Sequence, residues 1–135
     1  MIRCKRAYEA PAEEDGQRVL VDRLWPRNRR KDQLDVVQWL PELAPSNELR
    51  KAFHAGEVDA RAFAERYREE LTARPEHWWP LLDLARQGDL TLVYAAKDTE
   101  HNNAQVLAEW LEDELERQGP GSSPVCYADQ QKDPS

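Results

Sequence analysis

Two short stretches hold the side chains with the most chemical potential. In LTLVYAAKDTEHNNAQVL, residues 90–107, Lys97, Asp98, His101 and Asn102 lie between an apolar run and a helical pattern. In RVLVDRLWPRNRRK, residues 18–31, Asp22, Arg23, Trp25 and Arg27 stand at or just past the end of a Val-Leu-Val run. A histidine oriented by a carboxylate can serve as general acid or base near neutral pH, and Arg or Lys can hold a phosphate or carboxylate. Asp22, Asp98 and His101 are therefore the candidate catalytic residues. Arg23, Trp25, Arg27, Lys97 and Asn102, with Arg50 closing from a neighbouring helix, are the candidate ligand contacts. Each has a plainer reading. Asp98 or Thr99 can be a helix N-cap, His101 a boundary residue, Asp22 with Arg23 a buried ion pair, 27–31 a solvated loop, and the tryptophans core aromatics.

Chemistry from these two stretches requires elements that bring them together. Alternation from Ile2 to Tyr8 predicts a strand with one buried face, and Arg18–Leu24 and Leu90–Ala96 read as buried strands. If the latter two are parallel neighbours, their C-terminal ends unite Asp22, Arg23 and Arg27 with Lys97, Asp98 and His101. A helix beginning near Glu100 would add free N–H groups for an anion. Ser46 is the expected cap of a helix over 47–53 and Asp59 of one over 60–72; a third is expected over 76–87, with Pro80 in its first turn and Gly88 at its stop. Pro41 and Pro45 leave 31–45 irregular. On a last helix over 100–118, Ala104, Leu107, Ala108, Leu111 and Leu115 share the core face. His101 falls about 60° from its centre and Asn102 about 160° away. Val106 and Trp110 fall on the far side, which implies a second buried surface or a homodimer contact. The expected fold class is α/β, a small, mostly parallel sheet flanked by helices in one domain over 1–118, followed by a flexible tail over 119–135, where PVCYA offers a short edge strand.

Composition narrows the function classes. The chain has 135 residues, 40% of them hydrophobic and 33% charged, with a formal net charge of −7. That suits one domain with a true core, and the acidic balance disfavours nucleic-acid binding through bulk charge without excluding a local patch at Arg23–Lys31. No apolar run approaches the roughly 18 residues of a membrane span, and MIRCKRAYE lacks the apolar core of a secretory signal, so no membrane partner and a cytoplasmic location are expected. Cys4 and Cys126 form no CxxC or zinc pattern, and neither follows a central strand at a helix start where a thiolate would be stabilised. No phosphate loop, GxGxxG, HExxH or GxSxG is present. No metal site and no particular cofactor is indicated.

In order and spacing, IRCKRAYE, DGQRVLVDRLWPR, WLPELAPSNELRKAF and LVYAAKDTEHNNAQVL resemble the YeaO-like family of small bacterial proteins, domain of unknown function 488. The likeness spans about Met1 to Glu116. It implies membership without implying an activity. The family pattern has Gly after WPR, whereas Asn28 follows Arg27 here; Asn is the non-glycine residue that best tolerates positive φ, so the turn is expected to survive. The leading expectation is a protein or enzyme binding a small anionic metabolite, phosphate- or carboxylate-bearing, at the ends of two strands. The alternatives are a nucleic-acid-associated module using the basic loop and a homodimeric interaction protein using Val106 and Trp110.

Overall fold

Leu90, Thr91, Leu92, Val93 and Tyr94 are all buried, as a strand inside a sheet covered on both faces must be. The computed structural model describes residues 1–118 and makes this segment, β4 (Leu90–Tyr94), the axis of the molecule. β1 (Ile2–Arg6) pairs with it on one side and β2 (Gln17–Leu20) on the other, while β3 (Gln38–Trp39) pairs with the outer side of β2. All pairings are parallel, so the sheet runs β1-β4-β2-β3. Parallel pairing puts the C-terminal ends of β2 and β4 side by side, with Leu20 opposite Val93. The expected α/β class and the expected neighbourhood of the two buried strands are both found. The strands are shorter than their apolar patterns by two to four residues at their C-terminal ends.

The connections are helical: α1 (Lys31–Leu34), α2 (Asn47–His54), α3 (Ala60–Ala73), α4 (Pro75–Gln87) and α5 (Asn103–Gln118). Ser46 Oγ accepts from Leu49 N at 3.2 Å and Asp59 Oδ1 from Ala62 N at 2.8 Å, so both expected caps are made. Pro80 differs from expectation. Because α4 begins at Pro75, Pro80 lies inside the helix, beyond the first turn. Residues 31–45 are more regular than the two prolines suggested: α1, the two-residue β3 and a 3₁₀ turn at Pro41–Leu43 fit between them.

Alternation along the strands divides the apolar residues between the two faces. Val19, Val21, Leu90, Leu92 and Tyr94 face the main core with α3, α4 and α5, where Leu81, Leu82, Leu107 and Leu111 are fully buried. Each such side chain contributes about 1.5–3 kcal/mol of transfer free energy. The other face holds a smaller cluster of Ala7, Leu20, Leu34 and Val93. Val106 is buried in the main core and Trp110 packs edge-on against Trp78 at 5.6 Å, so a second buried surface forms within this chain. No helix among the described residues is long and apolar enough to cross a membrane. The expected tail lies outside the described residues.

Candidate functional site

The open ends of β2 and β4 are joined by Asp22. Its Oδ2 accepts from Ala95 N at 2.9 Å, just past β4, and its Oδ1 accepts from Asn103 Nδ2 at 3.2 Å, at the start of α5. Asn103 Nδ2 also donates to Val21 O at 3.2 Å. Burial pushes the Asp22 carboxyl above the usual carboxylate range, and the Ala95 N–H, Asn103 and the nearby Arg50 charge only partly offset this. Asp22 therefore ties two strand ends and a helix together. Its backbone oxygen accepts from Trp39 Nε1 at 2.8 Å, and Trp39 meets Trp25 edge-on at 5.6 Å.

Beside this junction lies a cavity of about 360 Å³. Of the expected residues, Asp22, Arg23, Trp25, Arg27, Arg50, His101 and Asn102 line it, and Phe53 and His54 of α2 and Phe63 of α3 complete much of its wall. The arginines are the unusual part. Arg23 Nη2 donates to Pro45 O at 3.0 Å and Arg50 Nη2 to Asn47 Oδ1 at 2.7 Å. The Nε of each is buried, with no hydrogen-bond partner among the described residues. An orphan buried donor costs about 1–3 kcal/mol, more when charged, and Trp110 Nε1, outside this cavity, is a third. Arg23 makes no ion pair with Asp22, whose oxygens accept from Ala95 and Asn103.

Lys97 and Asp98 do not line this cavity. The reason is the turn before α5. Asp98 Oδ1 accepts from Glu100 N and His101 N, each at 2.9 Å, and its Oδ2 meets His101 Nδ1 at 3.2 Å. Those backbone donors hold the Asp98 carboxyl below its ordinary range. The turn delays the helix to Asn103, so wheel angles extrapolated from it do not apply to His101 and Asn102. Their order is reversed: Asn102 is 3% exposed, whereas the His101 side chain is 55% exposed. Asn102 caps α5, accepting from Gln105 N at 3.0 Å and donating to Asp98 O at 2.8 Å. Asp98, not Asp22, orients His101. Of the residues expected to form an anion cradle, Arg27 lines the cavity together with Arg23 and Arg50, and Lys97 does not.

The basic loop is largely occupied with its own structure. Arg29 donates to Tyr8 O at 3.1 Å and sits 5.2 Å from the Tyr8 ring centroid, and Arg30 pairs with Asp32 at 3.2 Å. Asn28 adopts φ 60°, the conformation expected of a residue standing in for glycine. Cys4 is remote from the cavity; its Sγ lies 3.3 Å from Ala104 O and burial pushes its thiol up to about 12, so it is no thiolate at neutral pH. Cys126 lies outside the described residues. No group of three or more His, Cys, Asp or Glu side chains among the described residues is placed to hold a metal ion.

Sequence reading missed Asn103, Phe53, His54 and Phe63. The Asn102-Asn103 pair just before a helical pattern was the available signal, since one Asn can cap while the next reaches back to a strand end. A second, wider hollow of about 550 Å³ shares Arg23 but mixes Glu42, Glu48 and Glu70 with Arg74 and His77. Its charges oppose one another, and Glu70 is engaged with Ser46 N at 2.9 Å and Ser46 Oγ at 2.6 Å.

A small parallel α/β domain with a polar junction at its strand ends is the class that fold and site define. The chain belongs to the family whose model is described as the inactive DUF488-N3 subclade, which matches residues 1–128. It is 48% identical over 110 residues to the uncharacterized protein YeaO of Escherichia coli (strain K12), covering 82% of this chain and 96% of that protein. It is 41% identical over 113 residues to the uncharacterized protein Rv3073c of Mycobacterium tuberculosis (strain ATCC 25618 / H37Rv), covering 82% of this chain and 92% of the relative. The family expected from the four sequence motifs is therefore the one found. No solved structure matches the chain.

Proposed function

We propose that this protein binds a small organic anion in the cavity beside Asp22 and performs no covalent chemistry on it. The observation that carries the reading is the pair of cavity-lining arginines, Arg23 and Arg50, each with a buried Nε that lacks an acceptor among the described residues. An anion bound by the two guanidiniums offsets the positive charge that Asp22 balances only once. Two further observations favour binding over catalysis. Among the described residues the cavity lining contains no Cys, Ser, Thr or Lys nucleophile, and the matching family model carries the word inactive in its description. Among the described residues the one carboxylate in the lining, Asp22, is held by two structural hydrogen bonds.

Thermal unfolding in the presence of inorganic phosphate and of a panel of carboxylates tests the reading. A ligand at a hundred times its Kd adds about 2.7 kcal/mol to the stability of the folded state. A rise in Tm of several degrees is expected with at least one anion, together with its loss in a folded Arg50→Met variant. A flat response of the wild-type protein across phosphates and carboxylates alike removes the proposal.

A further inference from the structure

The cavity's walls discriminate among anions. At roughly 30 Å³ per water, a volume of about 360 Å³ holds about a dozen water-sized units, enough for a ligand of roughly ten non-hydrogen atoms. Trp25, Phe53, Phe63, Leu24 and Pro45 give this space an apolar lining, so most of the occupant must be apolar to gain from entering. Its polar groups include the two guanidiniums, the Asp22 junction, His54 and His101.

Several of the donors that would take a phosphate are already used. Glu100 N and His101 N are bound by Asp98, and Gln105 N is capped by Asn102, so the turn and first helical residues do not present these N–H groups to the cavity. Charge points the same way. Arg23 and Arg50 against Asp22 leave one excess positive charge in the wall, and Arg27 is exposed at the rim. One negative charge on the ligand completes that balance; a phosphate monoester at neutral pH brings nearly two and sets the second against Asp22.

We infer that, given the anion-binding reading above on which this rests, the occupant is a monocarboxylate with an aromatic or branched apolar body, its carboxylate on Arg23 and Arg50 and its body against Trp25, Phe53 and Phe63. A planar carboxylate matches the planar guanidinium fork, and a flat or branched body fits an aromatic wall.

Isothermal titration of the full chain with phenylacetate, phenyl phosphate, acetate and benzyl alcohol tests this, with Trp fluorescence as a second readout because Trp25 lines the cavity. Phenylacetate is expected to bind at least about tenfold tighter than each of the other three, acetate lacking the buried body and the alcohol the charge. Arg50→Met and, independently, Arg23→Met are each expected to weaken phenylacetate at least about tenfold, with Arg61→Met, exposed on α3 and outside the cavity lining, changing it less than threefold. Tighter binding of phenyl phosphate than of phenylacetate overturns the carboxylate assignment while leaving the anion site standing. Equal binding of acetate and phenylacetate overturns the apolar body. If none of these probes binds but inorganic phosphate does, the monocarboxylate inference fails alone; if no anion binds, both readings fail.

Discussion

β2 is bracketed by two aspartates, Asp15 buried and Asp22 half-buried, and they behave in opposite ways. Asp15, just before the strand, is 2% exposed and closed on every side. Its carboxylate accepts from Arg18 Nη1 at 2.7 Å, Lys5 Nζ at 3.1 and 3.2 Å and Ala12 N at 3.0 Å, while Arg18 spends its Nε and Nη2 on Leu34 O and Asp35 O. Thr91 Oγ1 completes the cluster on Asp15 O at 2.7 Å. Burial raises the Asp15 pKa, but the Ala12 N–H, Lys5 and Arg18 more than reverse it, and its carboxyl lies below the ordinary range. Asp22, just after the strand, pairs with no cation and lies above that range, with two incompletely used guanidiniums nearby. The N-terminal end of the sheet is a finished structural network; the C-terminal end keeps donors in reserve. Buried charge alone therefore does not mark a site. Buried charge with unspent hydrogen-bonding capacity does.

The sharpest way to break this contrast is to disturb the closed end. Asp15→Asn leaves Arg18 and Lys5 without their counter-charge, and the expected loss is about 3–5 kcal/mol at neutral pH, read from urea denaturation. Its pH dependence follows from the lowered pKa. Stabilisation by Asp15 is fully present above the unfolded value, 3.8, and is lost as pH falls from there through the lower folded value, so the gap between wild type and Asp15→Asn should close on acidification. A gap that stays constant down to acid pH would mean that Asp15 does not work through its charge. Gly16→Ala ranks next. Gly16 has φ 63° and an added Cβ would lie 2.2 Å from Asp89 O, so backbone strain and overlap together should cost about 2–3 kcal/mol in thermal unfolding.

These two ends also differ in how readable they were from sequence. The parallel neighbourhood of β2 and β4 was legible because Val-Leu-Val and Leu-Thr-Leu-Val-Tyr are apolar on both faces, and that in turn located the cavity. Asp15-Gly16 was legible as a turn, but not as the centre of a charge cluster, because Lys5 and Arg18 reach Asp15 only through the tertiary pairing of separate strands around β4. Lys97 and Asp98 fall outside the cavity lining for a local reason: an Asx-type turn at Asp98 takes two of the N–H groups credited to a ligand, those of Glu100 and His101, and the helix starts at Asn103. His54, Phe53 and Phe63 had no signal of their own. Their presence at the cavity depends on how α2 and α3 pack, and side-chain spacing within one helix does not encode that.

Smaller effects sharpen the comparison at the open end. Asn103→Ala removes the donor shared by Val21 O and Asp22 Oδ1, and about 1 kcal/mol of lost stability is expected by urea denaturation. It should also raise the Asp22 pKa further, since one hydrogen bond to the charged form is gone. With a folded pKa above the unfolded one, Asp22 penalises folding once ionised. Stability should therefore fall more steeply in Asn103→Ala than in wild type as pH rises from 3.8 through the raised value, and a slope no steeper than wild type would show that Asn103 does not act on the carboxylate.

The smallest expected effect is the most discriminating. Arg50→Met removes a hydrogen bond to Asn47 that lies on the surface, and with it the cost of a buried Nε without an acceptor, while the methylene stem is largely replaced. Loss of the Arg50 charge raises the Asp22 pKa and opposes part of that gain. The terms nearly cancel, so stability should change by less than about 0.5 kcal/mol. The same exchange at Arg18, where the guanidinium donates to Asp15, Leu34 and Asp35, should cost about 3–5 kcal/mol because it strands a buried carboxylate. Side-by-side urea curves of Arg18→Met and Arg50→Met compare the two ends with one chemical change. Equal losses would make the Arg50 guanidinium as structural as that of Arg18, and the distinction between a finished end and an open one would collapse with it.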